Sequence, residues 1–108
     1  MKKNEDDFFA LLRKIEQKPN STQRELANIL GFSLGKLNYC IKELNKKRLI
    51  KIQNFKKNPN KINYIYVLTP KGISTKTKLT IKFIKKKMRE YDELKKELKR
   101  SSQNINNY

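Results

Sequence analysis

The chain has 108 residues and 36% hydrophobic content, enough for one small core and too little for an elaborate pocket. Its 27 Lys and Arg against 10 Asp and Glu give a formal charge of +17, far above what solubility requires and usual for proteins that meet nucleic acid or an anionic membrane. Histidine is absent, which removes the commonest general base and metal ligand, and the lone Cys40 cannot close an internal disulfide, in keeping with a reducing cytoplasm.

Asp6 to Gln17 places Phe8, Leu11, Leu12 and Ile15 at helical spacing, with Asp6 and Asp7 at the positive end of the helix dipole and Pro19-Asn20 as the stop. The start MKKNEDDFF has acids where a secretory signal would have its apolar core, and no apolar run approaches the roughly 18 residues of a spanning helix. A soluble, cytoplasmic chain with no membrane partner is expected. Thr22 and Glu25 form a capping box, predicting a short second helix from Gln23 to Leu30 that buries Leu26, Ala27 and Ile29. Gly31 is suited to a left-handed helix end, Phe32 to plugging the corner into the core, and Ser33 to capping the next helix.

In that third helix Leu34, Leu37, Ile41 and Leu44 share one face, whereas Gly35, Lys36, Tyr39, Lys42, Glu43 and Lys46 point the other way and Asn38 lies at the edge. LIKIQNF and INYIYVLT alternate as half-buried strands and are joined across KKNPNK, where Pro59 marks a basic hairpin tip. Thr69-Pro70 then caps and opens a long helix to about Lys99, with Ile73, Thr77, Ile81, Ile84, Met88, Tyr91, Leu94 and Leu98 on one stripe at near-heptad spacing. The final SSQNINNY is expected to be disordered.

The expected fold is α+β and mainly α: a winged helix-turn-helix with a two-stranded wing and a long C-terminal helix. Residues 1–69 would form the DNA-binding domain, 70–100 a dimerisation helix continuous with it, and 101–108 a disordered tail. Charge follows this division. Residues 1–32 hold six bases and five acids, 33–61 hold nine and one, and 71–100 hold twelve and four. An AT-rich coding sequence would raise lysine everywhere; it does not account for a positive field that begins at residue 33.

A helix capped by Ser33 can enter a major groove about 12 Å wide with its N-terminal residues nearest the base edges. Ser33, Gly35 and Lys36 would arrive first. Lys36 can reach guanine or phosphate, Asn38 carries the donor and acceptor that read adenine, and Tyr39 can pack on a thymine methyl or donate to phosphate. Lys42 and Lys46 are better placed for phosphate, as are Lys56, Lys57 and Lys61 of the hairpin, and Thr22 and Gln23 at the start of the second helix complete the candidate contacts. Gly35 either brings the backbone close to DNA or is a neutral helix-start residue.

The run STQRELANILGFSLGKLNYCIKELNKKRLIKI, then YVLTPKG, then a basic helix ending in YDELKKEL, resembles the MarR family of bacterial winged-helix regulators, and within it the small subgroup associated with exopolysaccharide gene clusters. SLGKLNYCIKEL and LTPKGI are its most specific parts, and it spans about residues 6 to 99. The resemblance implies a homodimeric transcription factor that binds double-stranded DNA, with residues 33–47 as recognition helix and 56–61 as wing. It also implies dimerisation through the terminal helices, which points to Phe8 and to Ile81, Ile84, Met88, Tyr91, Leu94 and Leu98. Many members carry further terminal helices that build a ligand pocket, so in this short chain effector sensing stays open.

Other readings are a non-specific architectural DNA-binding protein, or a winged-helix module that binds protein or RNA. Catalysis is not expected: Asp6 and Asp7 diverge by about 100°, and the acids of REYDELKKEL are interleaved with lysines as helix-surface pairs. No cofactor and no metal are called for. Cys40 invites a redox reading, against which stand a half-buried position and the lack of a histidine to lower its pKa.

Overall fold

The computed structural model describes residues 4–58 and 61–106, of which 55–58, 61–63 and 105–106 are described by their backbone alone. Element order is α1 (Glu5–Gln17), α2 (Gln23–Leu30), α3 (Leu34–Lys46), β1 (Ile50–Asn58), β2 (Lys61–Leu68) and α4 (Pro70–Asn106). The chain divides into two compact units, Met1–Thr77 and Lys78–Tyr108.

In the first unit α2 and the starts of α3 and α4 are set by the chemistry read from the sequence. Thr22 accepts from the Glu25 amide while the Glu25 carboxylate takes the Thr22 amide, so both halves of the capping box are made. Gly31 closes α2 in the left-handed conformation at φ 69°, and Ser33 caps α3 by accepting from the Lys36 amide at 3.1 Å. Thr69 caps α4 by accepting from the Gly72 amide at 3.0 Å, and its hydroxyl donates to the Arg48 carbonyl at 2.6 Å, tying the helix start to the turn between α3 and β1.

Phe8, Leu11, Leu12 and Ile15 of α1 meet Leu26 and Ala27 of α2 and Leu37, Cys40, Ile41 and Leu44 of α3 in one core. Leu49, Ile50, Ile65 and Tyr66 join it at the base of the hairpin, where α1 packs on β2 and α3 on β1. The sheet is two antiparallel strands in the register Ile50↔Leu68, Ile52↔Tyr66 and Lys56↔Ile62, irregular between Lys56 and Asn58. Gly72 fits against this base so closely that a Cβ would fall 1.9 Å from the Leu49 carbonyl oxygen.

The structure departs from the sequence reading at several points. Leu34 is 51% exposed and Ile29 41% exposed, although both were expected inside. The buried stripe of α3 is centred between Leu37 and Leu44 with Cys40 on one flank, which leaves Leu34 about 70° away in the terminal turn; Ile29 stands about 110° from the centre of the α2 stripe. Phe32 is only half-buried. The strands run longer than expected and take Lys56, Lys57 and Lys61 out of the loop; Pro59, the expected tip, lies outside the described residues.

α4 continues through 101–106, where disorder was expected. Serine and asparagine are weak helix formers, yet extending an existing helix adds a bond per residue without a new nucleus, and neither Gly nor Pro interrupts that segment. In the second unit Ile81, Ile84, Met88, Tyr91, Leu94 and Leu98 are 50–68% exposed. Among the described residues no helix is long and apolar enough to cross a membrane.

Candidate nucleic-acid interface

α3 presents its outward face because its inward face is filled. Leu37 and Leu44 have no exposed surface and Cys40 has 1%, which fixes the roll of the helix and sends Leu34, Gly35, Lys36, Asn38, Tyr39, Lys42 and Lys46 outward. Ser33 occupies one amide of the first turn, and no acid lies in that turn. No acid of the helix's own first turn offsets the positive end of its dipole, an arrangement that favours an anion.

Two contacts from α1 act on this face. The Lys36 ammonium lies 3.2 Å from the Asp7 carboxylate and 4.3 Å from the centre of the Phe32 ring. The Tyr39 hydroxyl accepts from the Asn4 side-chain amide at 3.3 Å and keeps its own proton to donate. The Lys36–Asp7 pair is half exposed, so solvent screening holds it to about 0–1 kcal/mol, small enough for a phosphate to displace the carboxylate. Gly35 has nothing within 4 Å of where a Cβ would stand, so the protein itself does not demand glycine there.

Lys42 and Lys46 follow as exposed bases one and two turns on. Lys47, at the end of the helix, is occupied: its ammonium is 3.5 Å from Glu43 and 5.5 Å from the Phe8 ring centre. Thr22 and Gln23 are half-buried at the start of α2, Thr22 engaged with Glu25. Lys56 and Lys57 lie on β1 and Lys61 on β2, at the hairpin end remote from Leu49.

The set named from the sequence thus divides. Ser33, Gly35, Lys36, Asn38 and Tyr39 form one contiguous exposed patch, whereas Phe8 is 2% exposed in the core and offers no surface to a second copy. Missed in the sequence were Asp7, Asn4, Phe32 and the exposed Leu34. From the sequence Asp7 is a complement to its own helix dipole; its place beside α3 is set by the crossing of two helices and has no local signature.

Burial is the largest influence on Cys40 and raises its thiol pKa; Asp7 adds to the rise, and Lys36 opposes it. That environment suits an inert core thiol and leaves the lysine too weak an influence to make a reactive thiolate.

Comparison with known proteins agrees with this geometry. Residues 9–51 match the family described as winged helix-turn-helix DNA-binding. With the wing and the long helix in place, the architecture is a winged helix-turn-helix. The chain is similar to the PcaV transcriptional regulator of Streptomyces coelicolor, solved with its natural ligand, with a TM-score of 0.67 and 15% identity over 73% of this chain and 55% of that one. It is similar also to Staphylococcus aureus MarR in complex with salicylate and kanamycin, with a TM-score of 0.58 and 19% identity over 76% of this chain and 55% of that one. The S. aureus MepR–DNA complex aligns with a TM-score of 0.65 and 17% identity over 93% of this chain and 78% of that one. The chain thus spans little more than half the length of the first two, and at these identities the likeness is one of fold. No curated protein sequence matches the chain.

Proposed function

We propose that this chain is a MarR-type transcriptional regulator that binds specific sequences of double-stranded DNA as a homodimer. The observation that carries the reading is the outward face of α3: a Ser33-capped, acid-free helix start presenting Lys36, Asn38 and Tyr39 together, on the side opposite a filled core. A helix so exposed is free to lie in a major groove with its N-terminal side chains at the base edges. Fold likeness to a winged-helix protein solved on DNA supports the same use. Exopolysaccharide biosynthesis genes are the proposed targets, on the strength of the resemblance carried by SLGKLNYCIKEL and LTPKGI.

A second reading, non-specific architectural binding, is favoured by one observation: Lys78, Lys82, Lys85, Lys86, Lys87 and Arg89 follow one another without an acid, well beyond the winged helix in the chain. Such a run attracts phosphate irrespective of sequence.

Selection of bound duplexes from a random library at about 150 mM salt separates the two. A regulator enriches a palindromic motif and prefers it to random DNA by at least about a thousandfold. Absence of a motif, with binding that vanishes as salt rises, establishes the architectural reading instead.

A further inference from the structure

We infer that Leu34 reads sequence: its side chain packs on the C5-methyl group of a thymine in the major groove, so each half-site carries a thymine whose methyl contributes to binding. This rests on the reading of α3 as a DNA-binding helix and adds to it one residue, one base and one chemical group.

The placement comes from the fold. By its spacing Leu34 belongs with the apolar residues of α3, yet it is 51% exposed whereas Leu37, Cys40, Ile41 and Leu44 are at 4% or less. It is the first residue of the helix, next to the Ser33 cap, and so stands at the end that would enter a groove first. Gly35 follows with no side chain and nothing within 4 Å of where a Cβ would stand, so no protein atom crowds the backbone beside Leu34. Asn38 lies one turn on and about 40° around the helix, which puts Leu34 on one ridge with the side chain equipped to pair with adenine.

A single exposed leucine is ordinary on a protein surface, and what decides here is its company. Its exposed neighbours in the chain are Ser33, Lys36 and Asn38, polar or charged, at the start of a helix with no acid in its own first turn. That company suits a polyanion and not the centre of a protein contact, where charged residues are depleted. In the major groove the base edges offer donors, acceptors and one apolar group, the thymine methyl. The patch matches that inventory: Lys36 and Asn38 answer the polar positions, and Leu34 answers the methyl.

Deoxyuridine tests this, because it removes the methyl of thymine and leaves every donor and acceptor of the base in place. The full chain is offered the duplex motif selected at about 150 mM salt, with each thymine replaced in turn. At one thymine of each half-site the replacement should weaken binding about three- to tenfold, the loss expected when one methyl group leaves an apolar contact. Leu34→Ala should bind the intact motif more weakly by a similar factor and hardly respond to deoxyuridine at that position, since both changes remove the same contact. At other thymines its response should match the parent, and its urea midpoint should be unchanged because the side chain is half exposed.

A parent chain indifferent to deoxyuridine at every position, or a selected motif without thymine, would overturn the inference and leave specific DNA binding standing. So would full methyl sensitivity in Leu34→Ala, which would give the methyl to another side chain such as Tyr39. Loss of a dimer mass in Leu34→Ala, with the methyl response intact, would place a second copy on Leu34 instead. Enrichment of no motif at all would overturn the reading of α3 as a sequence-reading helix, and the inference with it.

Discussion

α3 and the segment of α4 from Lys78 to Leu98 are written in the same amphipathic code, yet they end differently. The apolar side of α3 has four residues at 4% exposure or less, whereas six apolar residues of the α4 stripe are at 50% or more. Periodicity therefore reports that a face needs cover and is silent about what supplies it. α3 is covered by α1 and α2 because capped turns of only a few residues bring those helices back onto it. The stripe, in the homodimer we propose, is covered from outside the chain.

The largest effect that would break this comparison is expected inside the core. Leu37→Ala should cost about 3 kcal/mol of folding stability in urea unfolding, because a side chain with no exposed surface leaves a cavity. Met88→Ala, at 60% exposure, should leave the unfolding of the dilute monomer within about 0.5 kcal/mol of the parent while weakening self-association. Equal losses at both positions would show that the stripe is core after all.

Close behind comes Gly72→Ala. A methyl group 1.9 Å from the Leu49 carbonyl oxygen must displace backbone, so a loss of roughly 2 kcal/mol or more is expected in the same measurement. The outward face of α3 should respond in binding and not in folding. Lys36→Ala or Tyr39→Ala should cost about 1–3 kcal/mol on the selected motif and much less on random DNA, whereas Lys57→Ala should weaken both alike and flatten the salt dependence. Equal losses on both DNAs for all three would remove base reading from α3.

Gly35→Ala sharpens the point, since no protein atom opposes the methyl: stability should rise by up to about 1 kcal/mol, and motif affinity should fall if the backbone there approaches DNA. The smallest effect is expected of Asp7→Asn, which frees Lys36 and removes a negative charge beside the face. Affinity for DNA of any sequence should rise by about two- to fivefold at low salt, with no comparable gain at high salt.

The sequence by itself determined where α2, α3 and α4 start. Thr22 with Glu25, Gly31, Ser33 and Thr69-Pro70 act within three or four residues of themselves, and interactions of that range need no partner from elsewhere in the chain. It determined also that α3 would carry Lys36 and Tyr39 opposite Leu37 and Leu44, because the geometry of a single helix suffices for that. Only the tertiary structure decided that Leu34 and Ile29 stay exposed, that Phe8 belongs to the core, that Gly72 must have no side chain, and that Asp7 and Asn4 reach Lys36 and Tyr39. Those outcomes depend on how one element lies against another: Asp7 and Lys36, and Asn4 and Tyr39, are far apart in the chain and meet through packing that no local pattern encodes.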